Sequence, residues 1–248
     1  MFKNLNFKKK LVKPNAVLLD TDNTLYDYYP ANILAEKAVC QKAKNLLGIK
    51  REIFFKYYNL AKKEVKKNLP LNASSHSRLL YFQRMIELLG YKSHLLLSLD
   101  FEQTFWRTFL ANAPLFPGLR ETLSFFKGRN IPIAVVTDLT SHIQLRKLTY
   151  FGLEDTFDAV VTSEEVGIDK PNKKNFLLTL KKLNLSKESY FWMIGDNPVS
   201  DIYGAKQFNS TTFQKIHNKV KLGEEEYAPD FIIRDYYAFL NKMKRFFN

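Results

Sequence analysis

The sequence predicts an α/β fold in which a doubly wound parallel sheet is interrupted by an all-helical segment. Short, continuously apolar runs recur along the chain, and each is followed by a polar residue and a helical pattern. Continuous apolarity indicates strands that are buried on both faces. Residues 28–114 instead show helical periodicity without a strand-like run. A hydrophobic content of 46% is enough to build a core, which excludes disordered and collagen-like chains.

The strands are predicted from the apolar runs, and the polar residues that follow the strongest runs include Asp20, Thr137 and Asp196. Ligands bind at the carboxyl ends of the strands in sheets of this kind. We therefore expect these three residues to share one site although they are far apart in sequence. The predicted strands are 16–19, 131–136 and 190–194, with weaker ones at 158–161 and 231–233.

The helices indicate two domains. A helical block, residues 28–114, is inserted after the first strand and is interpreted as a cap or lid; residues 1–27 and 115–248 form the α/β core. Pro117-Gly118 provides the turn that returns the chain to the core. The predicted helices are 32–47, 51–68, 75–90 and 95–112 in the insert, and 118–127, one from about Ser141, one from Pro171, and a basic amphipathic segment at 236–247 in the core.

The net charge of +13 is unevenly distributed. Residues 1–13 carry +5 and residues 28–114 carry +8, whereas the rest of the chain is neutral. The basic insert is compatible with a solvated helical surface, with nucleic-acid binding or with an electropositive lid over a small anionic substrate. Lysines and aromatic residues interleave in 54–67, but aromatic residues at helical spacing are more typical of a core than of base stacking. We expect no nucleic-acid partner.

The cellular location is predicted to be the cytoplasm. Cys40 is the single cysteine, so the chain cannot form an internal disulfide, which fits a reducing compartment. Residues 1–13 lack the apolar stretch of a secretory signal, and no apolar run approaches the roughly 20 residues of a membrane helix. The segment 236–247 fits packing on the sheet better than contact with a membrane surface. We expect a monomer or homodimer without stable membrane association.

The first chemical motif is Asp20-Thr21-Asp22, directly after the first strand. Two carboxylates at a strand end can share a divalent cation, and Mg²⁺ prefers oxygen ligands. One carboxylate can also act as a nucleophile and the other as a general acid/base. A solvated loop or a helix cap is the alternative interpretation of this motif alone.

Three further motifs follow other strands or loops. Thr137-Asp138 offers a hydroxyl and backbone N–H groups to a phosphate, or else caps the next helix. Lys170 can offset the charge of a carboxylate and phosphate cluster, or can be an ordinary solvated lysine. Asp196 follows an apolar strand and is a candidate metal ligand, and Asp201 is a candidate outer partner or helix cap.

These four motifs, in this order, resemble the haloacid dehalogenase superfamily, whose members are mostly phosphatases. The pattern of two aspartates two residues apart, a strand ending in threonine, a lysine and a Gly-Asp pair with a further aspartate spans the chain from Ala16 to about Phe213. The resemblance implies a Rossmann-like core. The inserted residues 28–114 are similar to the helical cap of the first subclass, which implies closure over the substrate.

The resemblance also implies a role for each residue. Asp20 matches the nucleophile that becomes phosphorylated, and Asp22 matches the acid/base whose backbone carbonyl helps to hold Mg²⁺. Thr137, with the Asp138 N–H nearby, matches the phosphate-binding hydroxyl, and Lys170 the lysine that steadies nucleophile and phosphate. The metal set implied by the family is Asp20, Asp22 and Asp196, with Asp201 at the outer acidic position.

The resulting expectation is a Mg²⁺-dependent phosphatase that hydrolyses a small phosphorylated metabolite, such as a sugar phosphate, nonulosonate phosphate or nucleotide. Among members of the superfamily, this sequence looks most similar to phosphatases of nucleoside monophosphates and acylneuraminate 9-phosphates. The similarity lies in the stretch from Asp22 to Asp27 and in the pair Gln144 and Lys147. A phosphomutase is the near alternative and a noncatalytic binding protein a more distant one. Dehalogenases lack an aspartate at the position of Asp22, which disfavours that reaction. Candidate substrate contacts in the insert are His76, Arg78, Arg84, Trp106 and Arg107.

Overall fold

A computed structural model describes residues 2–4 and 10–248 of the chain. It divides the protein into two compact units, one formed by Met1–Asp27 and Leu115–Asn248 and the other by Tyr28–Pro114. We call them the sheet unit and the helical unit. The prediction that 1–13 is not a secretory signal falls partly on residues 1 and 5–9, which lie outside the described residues.

The sheet unit contains a sheet that has seven strands in the described part of the chain, in the order β1-β7-β6-β5-β2-β3-β4. The strands from β2 to β7 pair in parallel, whereas β1 joins the edge antiparallel to β7. The predicted α/β fold class with a doubly wound parallel sheet is thus confirmed. The strands are β1 (Phe2–Asn4), β2 (Ala16–Leu19), β3 (Ile133–Thr137), β4 (Ala159–Thr162), β5 (Phe191–Gly195), β6 (Ser210–Lys215) and β7 (Phe231–Ile233).

The central strand β2 shows why the apolar runs form strands. Every one of its residues is at most 1% exposed, because β2 lies between β3 and β5 and helices cover both sheet faces. Strand β3 begins two residues later than predicted and includes Thr137. The carboxyl ends of β2, β3 and β5 consequently meet at one edge of the sheet.

Strand β6 was not predicted, and its sequence explains why. Ser210–Lys215 is mostly polar, yet all six residues are buried between β5 and β7. Its polar side chains are hydrogen-bonded to residues outside the strand: Thr212 donates to Asp230, and the Gln214 amide donates to the carbonyls of Asp196 and Lys221. Hydrogen-bonded polar side chains can occupy a buried strand without an apolar pattern.

Eight of the ten α-helices in the described residues were predicted, with shifted ends, and the two short ones at Ser163–Val166 and Gly204–Lys206 were not. Asn72 caps a 3₁₀ turn at Ala73–His76, and Ser77 caps the next helix, so the predicted helix 75–90 is divided in two. The helices are α1 (Tyr28–Leu47), α2 (Arg51–Asn68), α3 (Arg78–Leu88), α4 (Leu95–Ala111), α5 (Leu119–Lys127), α6 (Ser141–Tyr150), α7 (Ser163–Val166), α8 (Lys173–Lys182), α9 (Gly204–Lys206) and α10 (Tyr236–Phe247).

The helical unit packs α1 to α4 around an aromatic core. The Tyr58 ring stacks on Phe54, with centroids 5.8 Å apart, and on Phe82, at 5.4 Å. Phe105 continues this core from α4. Burial of Phe54 and Tyr58 agrees with the interpretation that the aromatic residues of 54–67 belong to a core.

Helix α10 packs on the sheet, as the amphipathic pattern predicted. The ring of Phe239 lies 5.4 Å from that of Phe213 on β6, and Phe247 lies 6.0 Å from Trp192 on β5. The Tyr236 hydroxyl donates to the carbonyl of Thr24 in the loop after β2. None of the described helices is both long and apolar enough to cross a membrane.

Candidate active site

The polar residues that follow β2, β3 and β5 lie together at the carboxyl edge of the sheet, and Lys170 joins them from the loop before α8. The Lys170 Nζ donates to Asp20 Oδ1 at 2.8 Å, to Asp201 Oδ1 at 2.6 Å and to the carbonyl of Val136 at 2.9 Å. These three acceptors match the three N–H groups of the ammonium. Lys170 therefore connects the end of β3 with the carboxylates that follow β2 and β5.

Lys170 is charged in this environment. Its residue is only 4% exposed, and burial alone disfavours the ammonium. The surrounding carboxylates, first Asp20 and then Asp201, outweigh burial and raise the pKa of Lys170 well above its usual value. Because Lys170 is buried, the alternative interpretation that it is an ordinary solvated lysine is wrong.

Three carboxylates form a cluster around this lysine. One oxygen each from Asp20, Asp196 and Asp201 lies within 4.8 Å of the others. Burial, opposed by Lys170, raises the pKa of Asp20 to about 7, and burial together with the charge of Asp201 raises that of Asp196 to about 9. Crowded carboxylates with raised pKa values gain most from a bound cation, and a set of oxygen donors alone fits Mg²⁺.

The local backbone explains why Asp201 reaches this cluster. Asp201 is completely buried, and its Oδ2 accepts the N–H of Asn197 at 3.0 Å. The Asn197 side chain caps the following π-helical turn through the N–H groups of Val199 and Ser200. Asp201 is thus not a helix cap. It contacts Lys170 directly and is one of the three possible cation ligands. Asp201 thus lies closer to the centre of the site than the outer acidic position that the family pattern implies.

Gly195 makes room for this arrangement. A Cβ at position 195 would lie 2.3 Å from Oδ2 of Asp201, which is much closer than any van der Waals contact permits. The glycine before Asp196 therefore lets the Asp201 carboxylate pack against the end of β5.

The Asp138 side chain is hydrogen-bonded to the main chain of Lys170. Its Oδ1 accepts the Lys170 N–H at 2.8 Å, and burial raises the pKa of Asp138 to about 6. Neither Thr137 nor Asp138 caps α6, whose N-terminal N–H at Ser141 is bonded to Glu164. The helix-cap interpretation of this motif is therefore wrong.

The Thr137 hydroxyl belongs to a buried network. Its Oγ1 lies 3.0 Å from Oγ1 of Thr21, and the Gln144 amide nitrogen donates to both hydroxyls, at 2.7 and 2.9 Å respectively. Because the amide supplies a donor to each oxygen, one hydroxyl donates to the other and one proton remains to point elsewhere. This network can orient the Thr137 hydroxyl towards an anion.

Asp22 lies apart from the three-carboxylate cluster. Lys147 Nζ donates to its Oδ1 at 2.8 Å, and the Tyr26 hydroxyl donates to the same oxygen. The Asp22 side chain is 35% exposed, whereas that of Lys147 is 1% exposed. An oriented, accessible carboxyl group is suited to transfer a proton to or from a bound molecule.

Sequence reasoning did not assign site contacts to four of the residues described above: Thr21, Tyr26, Gln144 and Lys147. The spacing of Gln144 and Lys147 was a detectable signal, since two polar residues three apart share one face of a helix that directly follows the site strand. The contact of Gln214 with the Asp196 carbonyl had no such signal, because β6 itself was not predicted.

Three of the five candidate substrate contacts in the helical unit have structural explanations. Trp106 is 2% exposed in the aromatic core. The Arg78 guanidinium lies against the rings of Phe105 and Trp106 and donates to the carbonyl of His76. Arg84 pairs with Glu64 on the surface of this unit. Substrate contact by His76 and Arg107 stays a prediction.

The comparison with protein families agrees with the fold and the site. The model of haloacid dehalogenase-like hydrolases matches residues 14–209. The chain therefore belongs to this family, and it is a hydrolase. The predicted family resemblance is confirmed.

Relatives and solved structures extend this result. A ribulose-1,5-bisphosphate 5-phosphatase of Halopiger xanaduensis is 39% identical over 77% of this chain and 80% of its own. A glyceraldehyde 3-phosphate phosphatase of Methanopyrus kandleri is 27% identical over 88% and 92%. A pyrimidine 5'-nucleotidase of Escherichia coli is 41% identical over a shorter segment, 36% of this chain and 39% of its own.

Solved structures with the same fold include a phosphatase and a dehalogenase. A phosphatase of this family from Thermococcus onnurineus superposes with a TM-score of 0.69 at 23% identity, covering 92% of this chain and 97% of its own. A 2-haloacid dehalogenase from Pseudomonas syringae gives 0.71 at 23% identity, covering 93% and 98%. These similarities establish the fold, and a shared fold does not determine the reaction.

Proposed function

We propose that this protein is a Mg²⁺-dependent phosphatase that hydrolyses a small phosphomonoester through a phosphorylated Asp20. The observation that carries the proposal is the position of Lys170, which holds Asp20 and Asp201 while Asp196 completes a group of oxygen donors. Positioning and charge neutralisation supply most of the catalysis in phosphoryl transfer.

The residues that would hold the ion are Asp20, Asp196 and Asp201, with the backbone carbonyl of Asp22 in the role that the family implies. When bound, Mg²⁺ would supply charge neutralisation to the phosphoryl group. The donor set supports this assignment because it consists of oxygen atoms whose mutual repulsion a cation relieves.

In the first half-reaction, a carboxylate oxygen of Asp20 attacks phosphorus and the bond from phosphorus to the leaving oxygen breaks. The Asp22 carboxyl gives its proton to that oxygen, so the product leaves as an alcohol. In the second half-reaction, water attacks phosphorus, Asp22 takes the water proton, and inorganic phosphate leaves Asp20 restored. Thr137 and Lys170 bind the phosphoryl oxygens in both steps.

The aspartate at position 22 favours a phosphatase over a dehalogenase. Its carboxylate is held by two donors and is partly accessible, as a proton-transfer group requires. The names of the relatives support a small phosphorylated substrate, and sugar phosphates come first in the panel because the Halopiger xanaduensis relative is named for a sugar bisphosphate. Nucleoside monophosphates follow on account of the Escherichia coli relative.

We further propose that the helical unit, residues 28–114, is the cap of this enzyme and that it selects the substrate. Its net charge of +8 favours anionic substrates. Arg107→Ala, which truncates an exposed side chain of this unit, is expected to raise KM for the preferred substrate several-fold with an unchanged kcat, and an unchanged KM would contradict substrate contact by Arg107. Arg129→Ala, which alters an exposed arginine of the sheet unit, serves as the control.

The test is phosphate release by the purified protein across sugar phosphates, nonulosonate phosphates and nucleoside monophosphates. We expect turnover with Mg²⁺, loss of turnover with EDTA, and a decrease on the order of 10³-fold or more in Asp20→Asn. Asp155→Asn, which alters an exposed carboxylate elsewhere in the sheet unit, should behave as the wild type. A folded protein that releases no phosphate, or an Asp20→Asn variant with undiminished turnover, would contradict the proposal.

A further inference from the structure

Helix α6 carries a buried lysine that contacts the proposed acid/base. We infer that Lys147 is a positioning residue, which fixes the Asp22 carboxyl group so that the proton it transfers is carried on Oδ2. The inference rests on the proposed function, because it assigns Lys147 a part in the same phosphoryl transfer. It begins from the 2.8 Å contact between Lys147 Nζ and Asp22 Oδ1.

The burial of Lys147 requires an explanation. Its side chain is 1% exposed, and in the described residues only Lys170 and Lys215 are comparably buried lysines. An ammonium group loses its hydration on burial, so an apolar residue of similar length would fill this position at a lower cost. The charge therefore has a use at this site, and the carboxylate it meets belongs to Asp22.

Two donors converge on a single oxygen of Asp22. The Tyr26 hydroxyl donates to Oδ1 as Lys147 does. Tyr26 is completely buried, and its ring lies 4.9 Å from that of Phe151, so its hydroxyl is held in place. Two donors on Oδ1 occupy its lone pairs and oppose rotation of the carboxyl group. A proton on this carboxyl group is consequently carried by Oδ2.

The same contact acts after the proton has left. When Asp22 gives its proton to the leaving oxygen, the carboxylate that remains carries a negative charge beside the Lys147 ammonium. Because the Lys147 side chain is 1% exposed, water screens this ion pair less than one in which both partners are exposed. Lys147 thus stabilises the product state of the proton transfer from a buried position.

Helix α6 supports both halves of the site from one face. Gln144, one turn before Lys147, donates to the hydroxyl of Thr137. Residues three apart lie on the same side of a helix, so a single element fixes the phosphate-binding hydroxyl and the acid/base. If the pair between Lys147 and Asp22 only stabilised the fold, its loss would not affect proton transfer to the leaving group. The dependence of the rate on the leaving group therefore distinguishes a structural role of Lys147 from a positioning role.

The experiment compares kcat/KM for an alkyl phosphomonoester, the best of the panel above, with that for 4-nitrophenyl phosphate. This quotient includes only the steps up to release of the first product. An alkoxide is a poor leaving group that needs a proton, whereas 4-nitrophenolate leaves without one. We expect Lys147→Met to lower kcat/KM about 10- to 100-fold for the alkyl ester, within the range of general acid catalysis, and less than about threefold for the aryl ester.

Two variants serve as controls. Lys147→Arg keeps a cationic donor and should retain the wild-type ratio of the two substrates within about threefold. Lys181→Met removes an exposed lysine on α8 and should change neither value. The inference would be overturned if folded Lys147→Met lost kcat/KM equally on both esters, or on neither. It would also be overturned if the ratio of the two kcat/KM values in Lys147→Arg fell to that of Lys147→Met.

A double-mutant cycle keeps the test decisive if Lys147→Met alone folds poorly. Asp22→Asn with Lys147→Met removes both charges, so neither partner is left as an unpaired charge. If Lys147 acts through Asp22, the second substitution adds less than about twofold to the loss caused by Asp22→Asn. Additive losses would contradict the inference. A wild type that hydrolyses neither ester would instead refute the proposed function, and with it the role of Lys147.

Discussion

The Nζ atom of Lys170 lies 2.8 Å from Oδ1 of Asp20, although 150 residues separate them in sequence. The Lys170 side chain is 2% exposed and that of Asp20 is 10% exposed. The contact orients the carboxylate proposed as the nucleophile and brings positive charge to the position where a phosphoryl group would bind.

The first prediction concerns this ion pair. Lys170→Met should lower phosphatase activity on the order of 10³-fold, because a charged donor to the transferred group is lost. It should also destabilise the fold by about 3 kcal/mol, since Asp20 and Asp201 lose their buried partner. Enzyme assays and urea denaturation measure the two effects.

The matched control for that variant is Lys182→Met. Lys182 pairs with Glu165 on the surface, where both side chains are at least 34% exposed. Exposed pairs contribute less than about 1 kcal/mol. Equal effects of the two substitutions on stability would contradict the structural role given to Lys170.

The second prediction concerns the hydroxyl network. Gln144→Met keeps the length of the side chain but removes the donor to Thr137 and Thr21. The reoriented hydroxyl should weaken inhibition by inorganic phosphate by about 5- to 50-fold, the equivalent of one or two buried hydrogen bonds. Gln103→Met, at an exposed position on α4, should leave inhibition unchanged. Unaltered phosphate inhibition in Gln144→Met would exclude this network from anion binding.

The third prediction concerns the turn after β5. Gly195→Ala should displace Asp201, because the added Cβ would lie 2.3 Å from its Oδ2. We expect a loss of about 1–3 kcal/mol in stability, typical of overpacking, and a loss of activity because Asp201 holds Lys170. In Gly128→Ala the nearest atom, the Ser124 carbonyl oxygen, is 3.3 Å away, and thermal melting should change little. Wild-type melting and activity in Gly195→Ala would be inconsistent with this packing.

The fourth prediction is a pH dependence of stability that arises at Lys215. Burial lowers the pKa of this lysine from 10.5 to about 8, although Asp235 and Asp27 partly oppose the effect. Between these two values the unfolded chain binds more protons than the folded one, so the contribution of Lys215 to stability increases as pH rises from about 8 to about 10.5.

Urea denaturation at about pH 7.5 and about pH 10 measures this dependence. Lys215→Met should be more stable than the wild type at the lower pH, and the advantage should shrink at the higher pH, because the wild-type lysine is then neutral in the folded state. A constant difference between the two proteins would show that Lys215 is not the titrating group.

The positions of Asp20, Thr137 and Asp196 could be predicted from the sequence because each follows an apolar strand and parallel strand ends meet at one edge. The partners of Asp22 could not be predicted in this way. Lys147 lies 125 residues from Asp22, and a lysine in the last turn of a helix is ordinarily a favourable solvated residue. Its burial follows from tertiary packing alone.

Strand β6 shows the second limit. Its burial depends on partners such as Asp230, which lies 18 residues beyond Thr212. A pattern of apolar residues predicts a buried strand only where the buried side chains are apolar. It cannot predict a strand whose buried polar side chains are hydrogen-bonded within the protein.

The most direct test of the central claim is to detect the phosphoryl group on Asp20. The purified protein is mixed with its preferred substrate and Mg²⁺, quenched in acid during the first turnovers and digested, and the peptide containing Asp20 is examined by mass spectrometry. We expect one added phosphoryl group on Asp20, absent from Asp20→Asn. Steady turnover with an unmodified peptide at every quench time, or modification of another residue, would contradict the account.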